Sequence, residues 1–463
     1  MGDKMGESVK IQQKENKMGV MPVNRLILTM SLPIMISMLV QAMYNIVDSM
    51  FVSKLGESAF TALSLAFPMQ NLMIAVGSGT GVGVNALVSR YLGEKKFDEA
   101  NKGANCGIFL AILSAIVFSI LCLFGSKWVF VWQKADEIIT QYGTEYLTIC
   151  GGLCYGLFAQ FIFERLLQCT GKTIFSMITQ ITGAVINIVL DPILIFGYFG
   201  CPAMGVRGAA IATVIGQVCA AAFALILNIM VNKELTLSIR SVFQPKAGII
   251  GKIYWVGVPS IIMASVSSVM NFGMNIILMK FTSTAAAVFG AYFKIQSFIF
   301  MPVFGLNNGI IPIISYNYGA RNKKRLHQAM KYGIIYAVLI MVLGFIIMQI
   351  FPGKLLSIFE ATPLMLEMGI PAIRIISTSF LFAGFCIACS SIFQAFGKGF
   401  LSMMISIVRQ LLVLLPVAFL MSLSGNITMV WLAWPIAELF SLLLSILFLV
   451  NVNRKIIRPM TDE

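Results

Sequence analysis

Apolar runs of roughly twenty residues recur along the whole chain, divided by short polar segments, and this spacing predicts membrane-spanning helices. Twelve are expected, near 26–52, 59–89, 100–125, 138–163, 173–199, 208–231, 253–281, 284–314, 328–351, 369–394, 400–424 and 428–451. The strands of a membrane barrel would alternate polar and apolar positions over about ten residues, and that pattern is absent. The longest connection, 232–252, reads NKELTLSIRSVFQPKAGIIGK and is polar and basic. It divides the chain into two six-helix lobes, 26–231 and 253–451, flanked by tails over 1–25 and 452–463.

The two halves repeat. Adding 226 to a position carries Pro33 to Pro259, Asn45 to Asn271, Gln70 to Gln296, Gly79 to Gly305, Gly83 to Gly309 and Ser89 to Ser315. The same shift carries Gly93 to Gly319, Gln168 to Gln394, Gly171 to Gly397 and Lys172 to Lys398. Six helices per half is an even number, so both halves enter the membrane from one side. The repeat is therefore parallel, about an axis along the membrane normal. The fold class expected is an all-α polytopic membrane protein of two parallel six-helix repeats.

Composition agrees with this pattern. Of the 463 residues 58% are hydrophobic and only 11% are charged, against about 25% charged in a soluble domain. The net charge of +14 would suit nucleic acid, but its placement points elsewhere. With a cytoplasmic N-terminus, about 24 of the 33 Lys and Arg fall on cytoplasmic segments and about 6 outside, the bias expected of membrane topology. The tail MGDKMGESVKIQQKENKMG has no apolar core of a removable signal. Gly6 stands where myristoylation needs Ser or Thr. The nine Cys lie mostly within apolar spans, and the lone Cys386-x-x-Cys389 pair is read as packing rather than as a metal or redox site.

An ionisable side chain inside a span costs about 2.5–3.5 kcal/mol, so each is a functional candidate. Four acids qualify: Asp48, Glu164, Asp191 and Glu438. In the first span Ser37, Gln41, Tyr44, Asn45 and Asp48 recur at steps of three and four, forming one polar stripe on an otherwise apolar helix. Interhelical hydrogen bonding, worth about 0.6 kcal/mol a contact, accounts for an isolated amide; a stripe ending in a carboxylate points to a cavity. In the fifth span, Asp191 is the only charged residue from Thr173 to Phe199 and shares a face with Gln180 and Asn187. Pro192 cannot donate to the Ile188 carbonyl, which frees that oxygen and lets the helix bend. A carboxylate, an amide and a free carbonyl suit a proton or Na⁺. Asp48 and Asp191 both fall in the outer halves of their helices and can approach one another. Their repeat partners are Met274 and Val417. The shared Pro, Gly and Gln positions thus read as architecture, and the unshared acids as an ion site. Glu164 adjoins Arg165 and reads as a gate or an ion pair. Glu438 is open between structure and function, and Lys294, Arg374 and Arg409 have no partner readable from sequence.

Two motifs fail. Gly77 to Gly83 (GSGTGVG) lies inside the second span with no strand before it, so it signals close helix packing rather than phosphate binding. Gly171-Lys172-Thr173 would end a Walker A loop only with Gly at 166, where Leu166 stands. No nucleophile–base set appears, so no enzyme is expected, and nothing calls for a cofactor, nucleic acid or an obligate protein partner.

Several stretches resemble the MATE family of multidrug and toxic compound extrusion transporters, in its DinF-like branch: SLPIMISMLVQAMYNIVDSMFVSKLG, SRYLGEKKFDEA, LLQCTGKT, NIVLDPILIFG and GVRGAAIATVIGQ. The resemblance covers nearly the whole chain. It implies a V-shaped pair of lobes in the cell membrane. It also implies export of organic cations or amphiphilic drugs by alternating access, in exchange for H⁺ or Na⁺. By the same resemblance Asp48, Asn187 and Asp191, joined by Thr213, hold the coupling cation; the stripe residues Gln41, Tyr44 and Asn45, with Gln180 and with Asn271 as the repeat partner of Asn45, are read as lining the substrate cavity. Other branches use acids in the seventh and tenth spans. Here the seventh has none and Glu367 falls just outside the tenth. The 29 Met and 35 Phe suit an adaptable apolar surface with aromatic faces for cations. The alternative is a flippase for a lipid-linked oligosaccharide, as in related two-lobed folds. That substrate would favour a cationic cavity, and the stripe here is acidic and amide-rich. A channel fits poorly with unshared acids on a lobed repeat.

Overall fold

A computed structural model describes residues 16–359 and 362–460. The first fifteen residues, which carry most of the signal-peptide and myristoylation reading, and the end of the C-terminal tail lie outside the described residues. Among the described residues there are helices and no strands. A short α1 (Lys17–Val20) precedes α2 (Val23–Ser53), α3 (Glu57–Gly93), α4 (Phe97–Trp132), α5 (Glu137–Gly152), α6 (Tyr155–Cys169), α7 (Thr173–Phe196) and α8 (Val206–Val231). After the short α9 (Ile239–Val242) come α10 (Ala247–Met279), α11 (Ser283–Gly319), α12 (Lys323–Ile350), α13 (Pro352–Ser357), α14 (Pro363–Ser377) and α15 (Phe380–Ala395). The chain ends through α16 (Gly399–Ile407), a π-helical segment Val408–Leu414, α17 (Leu415–Ser422), α18 (Ile427–Trp431) and α19 (Ala433–Val452).

Eight of the spans are single long helices, two are helical segments in line (α16 to α17 and α18 to α19), and two are bent pairs: α5 with α6 at 45° and α14 with α15 at 49°. The total of twelve matches the apolar runs, but several helices outlast them. At 37 residues, α3 and α11 extend about 55 Å against about 30 Å of hydrocarbon, because polar turns continue them past the apolar stretch. Starts are set locally. Thr282 and Asn322 side chains accept from the Ala285 and Arg325 amides at 3.1 and 3.0 Å, satisfying donors that the first turn leaves open. The bends carry no proline at the break. Their freed carbonyls are met from neighbouring side chains: Ser119 donates to Gly152 O at 2.7 Å and Gln349 to Arg374 O at 2.8 Å.

The repeat is visible in detail. Ser89 donates to the Cys169 carbonyl at 3.2 Å, and 226 positions on Ser315 donates to the Ala395 carbonyl at 2.9 Å. Gly171 and Gly397 both take left-handed backbone, at φ +83° and +74°. Across the lobes α2 packs on α11 and α3 on α10, and the glycines common to both halves make that approach possible. A side chain on Gly83 would strike the Ile253 carbonyl, and one on Gly309 would strike Ser31. Gly93 rests on the Tyr316 carbonyl and Gly319 on the Arg90 carbonyl, each in reciprocal contact. These contacts lie toward one end of the bundle, the end bearing the 232–246 connection. The lobes are drawn together there.

The same end carries a clasp. Asn16, the cap of α1, donates to Glu234 of the inter-lobe connection at 2.6 Å and to the Thr170 carbonyl of the first lobe at 3.2 Å. From the second lobe Asn317 donates to Met18 O at 3.2 Å, and Arg325 donates to Met18 O at 2.9 Å and Met21 O at 2.8 Å. Met18 is fully buried in the second-lobe core. Burial pushes the Glu234 carboxyl up from its ordinary value, against the pull of Lys172 and the bond from Asn16.

Candidate functional site

The polar stripe of α2 faces α7. Asp191 on α7 is wholly buried, and its carboxyl meets that of Asp48 on α2 directly. Asn187, one turn before Asp191, holds the pair from below. With its amide nitrogen toward Asp191 it donates to Oδ2 at 3.0 Å, and its oxygen accepts from Thr213 Oγ1 of α8 at 3.3 Å. The Tyr44 hydroxyl lies within electrostatic reach of both acids and within bonding reach of Thr213. Three helices thus supply five polar groups to one point. The α7 helix runs unbroken through Pro192, so the proline marks the site without bending the helix into two pieces.

The electrostatics of this cluster are one-sided. Among the described residues neither acid takes part in an ion pair. Oδ1 of Asp48 and Oδ1 of Asp191 are each buried with no hydrogen-bond partner. Two carboxylates in contact repel strongly unless a proton or a cation lies between them. A buried acceptor left unpaired costs about 1–3 kcal/mol. A proton or a small cation between the two carboxyls would relieve both costs.

The other expected residues divide. Gln180 donates to Gln41 at 2.8 Å, continuing the polar contact of α7 and α2 below the acids. Asn45 is exposed on the stripe's flank. Asn271 lies on α10 in the other lobe with its Oδ1 buried and unpartnered. Ser37 turns back onto the Pro33 carbonyl at 2.9 Å. Two residues were not foreseen: Tyr146 and Cys150 of α5 lie within electrostatic reach of Asp48, with the Tyr146 hydroxyl accepting from Gln70 at 3.0 Å. No periodic signal marks them, since their approach depends on how α5 packs.

The remaining buried charges fall elsewhere. Glu164 accepts from Gln160 at 2.9 Å, while Arg165 donates to Gln168 at 2.9 Å and Gln168 to Ser176 at 2.9 Å. Lys294 lies over the Phe359 ring at 5.9 Å. Arg409 reaches Glu438 at 3.4 Å. Helix α3 is unbroken through Gly77–Gly83, where Gly77 packs on Phe161 and Gly81 on Arg165, so this run is a packing surface. Cys386 and Cys389 are buried free thiols.

Comparison with known proteins bears on this geometry. A family profile described as MatE matches residues 33–193 and 259–420, two stretches that start 226 positions apart (259 − 33), the register of the internal repeat. The chain is 27% identical over 404 residues to the multidrug export protein MepA of Staphylococcus haemolyticus, covering 87% of this chain and 88% of that one. It is equally similar to MepA of Staphylococcus saprophyticus, 27% over 403 residues, with 87% and 88% covered. Among solved structures, it superposes on a multidrug resistance MATE family transporter in an outward-facing conformation. The TM-score is 0.89 at 24% identity, over 96% of this chain and 98% of that one. A MOP superfamily transporter from Pyrococcus furiosus, described as having a binding pocket of reverse polarity, superposes with a TM-score of 0.86 at 24% identity, over 95% and 98% of the two chains.

Proposed function

Since the chain belongs to the MatE family, whose members are multidrug efflux transporters rather than enzymes, we propose that it exports organic cations and amphiphilic drugs in exchange for H⁺ or Na⁺. The observation that carries this reading is the contact of Asp48 with Asp191, with one oxygen of each left unpaired. Asn187, Thr213 and Tyr44 position the two acids, and the coupling ion binds between them. Exchange of one monovalent ion for one organic monocation moves no net charge, so the ion's concentration gradient drives it: each tenfold in the ion supplies about 1.4 kcal/mol, enough for about a tenfold substrate gradient. Gln41, Asn45, Gln180 and Asn271 line the route of the substrate.

The two lobes, 26–231 and 253–451, are the moving bodies of alternating access. The surplus of Lys and Arg at the clasped end supports the reading that this end faces the cytoplasm. Closure there, with Asp48 and Asp191 nearer the opposite end of their helices, supports the reading of a state that receives ions from outside. An oligosaccharide pyrophosphate would need a cationic cavity, and the acids of this site disfavour it.

The test is ethidium flux in proteoliposomes holding the full chain, under an imposed pH gradient or an imposed Na⁺ gradient. Uphill ethidium movement under one gradient supports the reading and names the ion. No ethidium movement under either gradient contradicts it.

A further inference from the structure

The first lobe's acids have no counterparts in the second, but the second has an ionisable pair of its own. Glu438 aligns with Ala212 and Arg409 with Gly183 under the 226-residue shift, so neither belongs to the shared architecture. Glu438 lies on α19, about 16 Å along the helix axis from the start of α18, well inside the span. Its Oε2 has one long contact, 3.4 Å, with Arg409 Nη1. Its Oε1 is buried with no partner, as is the hydroxyl of Tyr292 on α11, which stands near the carboxylate. Cys386 of α15 touches it from a third side.

The arrangement is poorly made for a structural ion pair. Such pairs gain from short, bidentate geometry with every oxygen satisfied, and here half the carboxylate is bare. The Glu438 side chain is 8% exposed while that of Arg409 is 25% exposed, so the cation can leave and the anion cannot. Arg409 stands in the π-helical segment Val408–Leu414, a local departure from α-helix that recurs at functional sites. An aromatic cluster starts one helical turn from the carboxylate. Trp434, one turn before Glu438, lies 5.6 Å from Phe289, which stacks on Tyr292 at 6.5 Å. A buried carboxylate near indole and phenyl faces is a recognition set for an organic cation.

We propose that Glu438, with Trp434, Phe289 and Tyr292, is a second-lobe recognition site for the cationic group of a transported organic monocation. Arg409 is the internal cation that occupies it when no substrate is bound. This rests on the reading of the chain as an organic-cation exporter. It predicts shifts of opposite sign for the two partners of one ion pair, which a structural pair would not give.

The experiment is ethidium binding to the purified full chain by fluorescence anisotropy, with ethidium export from proteoliposomes in parallel and thermal unfolding of every variant. Glu438→Gln weakens binding about tenfold, the scale of a hydrogen bond to a charged group. Arg409→Met, which keeps the apolar stem and removes the competing charge, tightens binding severalfold. The double variant binds as Glu438→Gln does. Binding that weakens or stays unchanged in Arg409→Met, or stays unchanged in Glu438→Gln, overturns the proposal. Should Arg409→Met fail to fold, Trp434→Leu carries the test, with weaker binding expected and unchanged binding contradictory. If the wild type moves ethidium but these shifts are absent, only the second-lobe site falls. If the wild type neither binds nor moves ethidium, the export reading falls and this site with it.

Discussion

A carboxyl in a membrane span costs enough that its surroundings must explain it, and at the residue scale Asp191 is explained by Asp48, Asn187 and Thr213. If the two acids share one proton or cation, Asp191→Asn removes the charge without changing the shape. It should leave ethidium binding within about twofold and abolish gradient-driven accumulation, as read in proteoliposomes; coupled transport surviving in that variant would displace the ion from this site. Asn187→Ala deletes the donor to Asp191 Oδ2. A hydrogen bond to a charged group is worth about 1.5–3 kcal/mol, so ion affinity should fall at least tenfold, measured as the gradient needed for half-maximal export. Asp191 and Asn187 were legible because one charge stands out in an apolar run. Tyr44 was legible as part of the stripe, though its place within reach of both acids was not. Tyr146 and Cys150 were illegible, because nothing in α5 itself says that it turns toward Asp48.

At the scale of elements, the glycines common to both halves set how closely the lobes approach. Gly83→Val or Gly319→Val forces a side chain against a carbonyl oxygen of the facing helix, a clash no rotamer relieves. Overpacking of this kind costs about 1–3 kcal/mol. Thermal unfolding should drop by several degrees for both variants, while Gly125→Ala, which meets open space, should not move it; equal behaviour of all three would refute the packing role. The positions were readable from the repeat, since shared residues in unshared surroundings mark architecture. The bends between α5 and α6 and between α14 and α15 were not. Neither break holds a proline, and what stabilises it is a Ser or Gln from another helix, a tertiary contact. Helix ends were misplaced for a related reason: hydropathy marks where lipid ends, and the polar turns continue beyond it.

At the scale of the whole molecule, twelve spans in two parallel sets followed from apolar spacing and one register, and the fold has them. The clasp did not follow. It is built by a polar tail with no periodic signal, and its bonds run to carbonyls of α1 that sequence does not distinguish. Its role is accessible to hydrogen exchange. Arg325→Ala removes two donors to the Met18 and Met21 carbonyls, so amides of residues 17–21 should exchange at least tenfold faster, with the helices α3 and α10 following at their clasped ends. Unchanged exchange would mean the apolar contacts of Met18 hold the tail unaided.

The central claim is that binding of one ion at Asp48 and Asp191 is tied to movement of one organic cation, and the most direct measurement is of the ion itself. Proteoliposomes loaded with ethidium, with no ion gradient imposed, are diluted into dye-free buffer while internal pH and ²²Na⁺ uptake are followed. Ethidium leaving by the carrier should drive H⁺ or Na⁺ inward in the wild type, and this ion uptake should be lost in Asp191→Asn. Ethidium efflux from the wild type with no counter-movement of either ion, or equal uptake in the variant, would contradict the account.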